Sequence, residues 1–173
     1  MDVAARIERA IERHLGGRDT PQTYGDALRH GLFPGGARAR PQLTLHVALT
    51  CGDDRPAVSD AVAAALEYLH CASLVHDDLP CFDDASTRRG RPSVHAAYGE
   101  ALAVLAGDGL IVLAFQALGD VAAEAGGRLG PILACVADGV GAPRGLVAGQ
   151  AMESEADRAI GPYHAAKTGA LFE

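Results

Sequence analysis

Apolar residues recur at helical spacing along almost the whole chain. Val3, Ile7, Ala10 and Ile11 share one face of residues 2–15, which predicts a short amphipathic helix stopped by Gly16-Gly17. Thr20-Pro21 reads as a cap followed by proline at the first helical position, with Gly31 as the stop. Phe33-Pro34-Gly35-Gly36 is a predicted turn, and residues 38–49 a helix ended near Gly52. Ser59 is the predicted cap of a long helix that runs through Asp78 until Pro80 interrupts it. Residues 86–92 read as a loop and 93–98 as a short helix. A long apolar helix is predicted over 99–125, broken at Gly126-Gly127. Two further helical pieces cover 129–141 and 146–156. Gly161-Pro162 is a predicted turn before a last helix over 163–173. No segment sustains the alternation of a strand, so the predicted class is all-α. The last pattern ends at G-A-L-F-E with no stop signal, which reads as a fragment or a truncated gene product.

Composition agrees with close-packed helices. The 173 residues suit a single domain, here expected to be incomplete, and 49% are hydrophobic while only 5% are aromatic and none is Trp. The core must then be mostly Ala, Leu and Val. The formal charge of −7 opposes nucleic-acid binding. It also opposes an anionic substrate, unless metal ions and local arginines reverse the field. Cys51, Cys71, Cys81 and Cys135 show no C-x-x-C pairing, and the charged N-terminus is no secretory signal. Reduced thiols in a cytoplasmic protein are the expectation. The run 101–119 nearly has the length to span a bilayer, but Asp108 inside it argues for a core helix and no transmembrane segment.

One stretch stands out, E-Y-L-H-C-A-S-L-V-H-D-D-L-P-C-F-D-D-A-S-T-R-R-G-R-P from Glu67 to Pro92. An apolar helix ends there in Asp77, Asp78, Asp83 and Asp84, and Arg88, Arg89 and Arg91 follow at once. Carboxylates this close repel one another unless a cation joins them. Arginines beside them suit a phosphate. Glu67, His70, Leu74 and Asp77 form one helical stripe, whereas Asp83, six residues beyond Asp77, would point elsewhere on an unbroken helix. A two-residue bulge at Pro80-Cys81 would bring it back to face the same cavity. Asp77 and Asp83 then fit Mg²⁺, which takes one or two carboxylates and fills its octahedron with water and phosphate oxygens.

The segment D-D-L-P-C-F-D-D-A-S-T-R-R-G-R-P-S-V-H resembles the first aspartate-rich motif of the trans-prenyl diphosphate synthases, in the form of the geranylgeranyl diphosphate synthases. Y-G-E-A-L-A-V-L-A-G-D, G-Q-A-M-E and Y-H-A-A-K-T-G-A-L-F resemble further family segments in family order. The resemblance implies an isoprenoid synthase-type helical bundle around a central cavity, usually dimeric. It implies condensation of isopentenyl diphosphate with an allylic diphosphate, with Mg²⁺ held by Asp77 and Asp83. By the same resemblance Arg88, Lys167 and Thr168 contact the allylic diphosphate. Arg40, His70 and Arg89 contact isopentenyl diphosphate. Ala72 and Ser73, about one helical turn before Asp77, stand where a bulky aromatic stops the growing chain in farnesyl-making relatives, and their small size implies a longer product.

Two departures bear on activity. Ala37 stands in G-G-A-R-A-R-P where the family has a lysine for isopentenyl diphosphate. A lost charged hydrogen bond costs about 1.5–3 kcal/mol, or about ten- to a hundred-fold in affinity. The family's second aspartate-rich motif has no counterpart in these residues. The chain alone is therefore expected to be weakly active or inactive. The competing reading is a non-catalytic truncated paralogue that partners a full-length synthase. Glu153 stands for the aspartate of G-Q-x-x-D, and with Glu155 and Asp157 is expected on a solvated face. His76 is expected at or near the surface, His95 has no clear chemical role, and Asp108 is expected to make a core hydrogen bond.

Overall fold

A computed structural model describes residues 2–15, 19–33, 35–157 and 159–172. The predicted stop at Gly16-Gly17, Pro34 of the predicted turn and the last residue, Glu173, lie outside them. The chain divides into two compact units, Met1–Val121 and Ala122–Glu173.

The first unit is built on α4, Pro56–Asp77, which packs against α1 (Val3–Glu12), α2 (Gln22–Leu32), α3 (Ala39–Thr50) and α6 (Glu100–Asp120). Alanine makes this crowding possible. Ala61, Ala63, Ala64, Ala65 and Ala72 are all buried along α4, so neighbouring backbones approach closely. Ile7, Ile11, Leu32, Leu45, Leu110 and Leu118 are fully buried in the same core as Tyr68, whose hydroxyl donates to the Ile11 carbonyl. α1 starts on Asp2, whose carboxylate accepts from the amides of Ala4 and Ala5 at 3.0 and 3.3 Å. It is fastened to the start of α4 by the buried Arg6, which pairs with Asp53 at 2.7 Å, with Asp60, and with the Pro56 carbonyl at 3.0 Å.

α4 begins three residues before the predicted cap at Ser59. Pro56 takes the first position, where its missing N–H costs nothing. Ser59 lies inside the helix and donates to Asp53 at 2.6 Å. The predicted loop 86–92 contains a small antiparallel hairpin, β1 (Thr87–Arg88) and β2 (Arg91–Pro92), turned by Arg89 and Gly90 at positive φ of 51° and 79°. α5 (Val94–Tyr98) leads into α6.

By length and composition α4 and α6 are both apolar enough to cross a membrane, and 61% and 39% of their respective apolar windows are buried within the protein. Asp108 does face a neighbouring helix, yet it is not a core residue. Its side chain is 60% exposed, 3.5 Å from His76.

The second unit contains α7 (Ala122–Ala125), α8 (Leu129–Val140), α9 (Leu146–Ala151) and α10 (Ile160–Lys167), with short 3₁₀ turns at Gly126–Arg128, Met152–Ser154 and Gly169–Leu171. Gly161 and Pro162, predicted as a turn, lie in the first turn of α10. α9 and α10 meet at Gly149, where a β-carbon would run into the Lys167 backbone.

Candidate active site

Asp77 is the last residue of α4, and Asp78 is its cap. Proline at 80 has no N–H to continue the ladder, so the chain closes a wider loop. The amides of Phe82 and Asp84 donate to the Leu79 carbonyl at 2.9 and 3.1 Å, and the Asp83 amide donates to the Asp77 carbonyl at 3.0 Å. A helix would make that last bond four residues on, and here it spans six, so two residues bulge out. One carboxylate oxygen of Asp77 and one of Asp83 lie within 4.8 Å of each other. A single hard cation with oxygen ligands at about 2.0–2.6 Å bridges such a span. The donor set is carboxylate alone, which selects for a cation of that kind over a thiophilic one.

Asp78 serves a different purpose. It is 3% exposed, and its carboxylate accepts from Arg88 through Nε at 3.0 Å and through Nη2. That hydrogen bond, working against burial, raises the Arg88 pKa, with Asp77 and Asp83 adding to it. Arg88 also comes within 4.0 Å of Asp77. Adjacency in D-D does not say which carboxylate turns inward, so the sequence alone does not separate the role of Asp78 from that of Asp77.

Arg89, at the hairpin tip, donates to the Gly35 carbonyl. Its guanidinium lies where a β-carbon on Gly36 would be, and Gly36 has φ of 136°. The backbone there favours glycine, and a β-carbon would displace the guanidinium from its present position. Arg38 (φ 51°) is committed elsewhere, to Glu8 at 3.0 Å, Glu67 at 2.8 Å and the Leu32 carbonyl at 2.9 Å. Arg40 sits in the first turn of α3, and burial lowers its pKa, with Arg89 acting in the same direction against Glu67.

His70 lies on the partly open stripe of α4 that also carries Val62, Leu66, Ser73 and Asp77. Burial lowers its pKa to about 3, with Arg40, Arg89, Arg38 and Arg88 adding to the effect. The ring is neutral near pH 7 and faces a field of positive charge. Ser73 is partly exposed on this stripe, whereas Ala72 is 2% exposed and belongs to the core. Asp77, Asp83, Arg88, Arg89, Arg40 and His70 therefore all belong to the first unit, around the end of α4 and the hairpin.

Lys167 and Thr168 belong to the second unit, at the end of α10. Lys167 donates to Glu153 at 2.6 Å. Glu153 also accepts from Gln150 at 2.7 Å and from the Tyr163 hydroxyl. It is thus the hub of three donors rather than part of a solvated face, while Glu155 and Asp157 are exposed. Of the other histidines, His95 Nε2 meets the Ala85 carbonyl at 3.0 Å and so ties down the end of the acidic loop.

A profile of the polyprenyl synthetase family matches residues 21–173. The chain belongs to the polyprenyl synthetase family. This polyprenyl synthetase chain is 53% identical over 175 residues to a geranylgeranyl diphosphate synthase of Cereibacter sphaeroides, covering 99% of this chain and 61% of that protein. It is 40% identical over 156 residues to a farnesyl diphosphate synthase of Geobacillus stearothermophilus, covering 87% of this chain and 51% of that one. Among solved structures, an FPP/GFPP synthase of Zymomonas mobilis superposes with a TM-score of 0.87 at 34% identity, over 98% of this chain and 64% of that chain. An isoprenoid synthase family member of Thermotoga neapolitana gives 0.82 at 36% identity, over 99% and 66%. The polyprenyl synthetase fold here is the all-α isoprenoid synthase fold, and the chain spans 61% of the Cereibacter relative's length.

Proposed function

We propose that this polyprenyl synthetase chain binds an allylic diphosphate and isopentenyl diphosphate for their head-to-tail condensation, with a geranylgeranyl-type product. The observation that carries the reading is the convergence of Asp77 and Asp83 within 4.8 Å beside an arginine hairpin. Mg²⁺ suits this pair of hard oxygen donors, and when bound it supplies Lewis-acid stabilisation to the departing diphosphate. Asp77 and Asp83 would hold it. Arg88 meets the allylic diphosphate. Arg89, Arg40 and the neutral His70 meet isopentenyl diphosphate. No protein nucleophile takes part. The allylic C–O bond breaks, the isopentenyl double bond attacks the resulting cation, and a proton is lost. The residues supply positioning and charge at the leaving group. Ser73, small and partly open on the Asp77 stripe, supports a product longer than farnesyl.

The protein works as a homodimer, or as a heterodimer with a related synthase. The support is α6, whose Val104, Leu105, Val112 and Phe115 are 41%, 53%, 55% and 47% exposed along one stripe. Four free cysteines support a cytoplasmic setting. Ala37 presents no charge to isopentenyl diphosphate, so turnover by these 173 residues alone is slow. Incubation with Mg²⁺, isopentenyl diphosphate and farnesyl diphosphate tests this. Slow Mg²⁺-dependent product that Asp77→Asn abolishes supports the reading. Product at equal rate in Asp77→Asn would sink it.

A further inference from the structure

The hairpin that carries Arg88 and Arg89 is held at its tip by the Arg89 bond to the Gly35 carbonyl and along each strand by a separate footing, only one of which lies in the acidic motif. Arg88 ties β1 to Asp78 at the end of α4. β2 is tied instead to the end of α2. Arg91 donates to the Phe33 carbonyl at 2.7 Å. His30, in the last turn of α2, bridges the other two groups. Its Nε2 lies 2.7 Å from the Pro92 carbonyl, and its Nδ1 lies 3.4 Å from Arg91 Nη2. A guanidinium can only donate and a carbonyl can only accept. The bridge fits the tautomer that donates from Nε2 to the Pro92 carbonyl and accepts from Arg91 at Nδ1. The ring is held in that plane by Tyr98, edge-on at 5.4 Å.

We propose that His30 is a positioning residue for diphosphate binding, acting on Arg88 and Arg89 through β2. The proposal rests on the reading that those arginines meet a diphosphate. The ladder is only two residues long on each side, and a further bond from the Ser93 amide to the Ser86 carbonyl at 3.0 Å extends it. So short a hairpin has little stability of its own and takes its direction from its footings. Without His30 the Asp78 footing still holds β1, and the bonds from Arg91 to Phe33 and from Arg89 to Gly35 still hold β2 and the tip, but β2 loses the bond at its Pro92 carbonyl and the acceptor beside Arg91. α2 itself keeps its buried face through Ala27, Leu28 and Leu32.

The test compares wild type with His30→Ala and His30→Gln, since glutamine keeps one donor and one acceptor. The first readout is Mg²⁺-dependent binding of inorganic pyrophosphate by calorimetry. The second is hydrogen exchange at the Ser93 amide, which needs no ligand. His30→Ala is expected to weaken pyrophosphate binding about three- to ten-fold, as for one or two lost hydrogen bonds. It is also expected to speed exchange at Ser93 while α2 amides keep their protection. His30→Gln is expected to recover most of both. Unchanged exchange at Ser93 in His30→Ala would overturn the proposal. So would unchanged pyrophosphate affinity, or a His30→Gln protein as impaired as His30→Ala. A wild-type chain that binds no pyrophosphate at all fails the proposed function instead, and the exchange readout then decides whether His30 holds the hairpin.

Discussion

His70 shows how one residue reports on its surroundings. Burial, with Arg40, Arg89, Arg38 and Arg88, holds its pKa at about 3, against about 6.5 in an unfolded chain. Between those values the unfolded chain carries a proton that the folded one does not, so stability falls as the solution is acidified. The contribution is fully present above pH 6.5 and is lost progressively as pH falls towards about 3. From pH 7 to pH 5 the cost is at most about 2 kcal/mol. Urea melts of wild type and His70→Gln at both pH values check this. The variant is expected to lose less stability on acidification, and equal losses would contradict the assignment. The same residue shows why the site needs neutral donors as well as arginines. A charged imidazole beside four guanidiniums would be costly until an anion arrived.

At the scale of elements, the site depends on how helices end and on what holds them. α4 stops where Pro80 removes a donor, and that much was legible in the sequence, as was the two-residue bulge that aligns Asp83 with Asp77. The start of α4 was not. Ser59 is a good cap by type, but Pro56 suits the first position and Asp53 engages the serine hydroxyl. The hairpin was missed because two-residue strands leave no alternation to read. Glu153 was misread because its partners Tyr163 and Lys167 are ten and fourteen residues away and meet it only once α9 and α10 pack. Asp108 faces α4 as expected but is exposed, because an apolar run does not show how much of the helix its neighbours cover. Arg6 gives the sharpest test at this scale. It joins α1 to the α4 start through Asp53 and Asp60, with side-chain exposures of 5%, 8% and 17%. Removing one partner of a buried pair leaves the others uncompensated and costs about 3–5 kcal/mol. Arg6→Ala is expected to lose about that much in chemical denaturation, and a loss below about 1 kcal/mol would show that α1 is held by its apolar face alone.

At the scale of the molecule, a net charge of −7 and the proposed site for diphosphates are reconciled only locally, by arginines grouped at one end of α4. The exposed stripe of α6 makes a separate prediction. If it seats a second copy, sedimentation at about micromolar concentration shows a dimer, and Leu105→Lys with Val112→Lys shifts it to monomer while keeping the helical content. A monomeric wild type would contradict that proposal without touching the site. Asp77, Asp83 and the arginine hairpin are proposed to form one metal-dependent diphosphate site. Calorimetric titration of pyrophosphate into the wild-type chain and the Asp77→Asn/Asp83→Asn double variant, with and without Mg²⁺, tests it most directly. Wild type is expected to bind only with Mg²⁺, and the double variant at least about ten-fold more weakly. Equal binding by both proteins, or binding by wild type that ignores Mg²⁺, would contradict it.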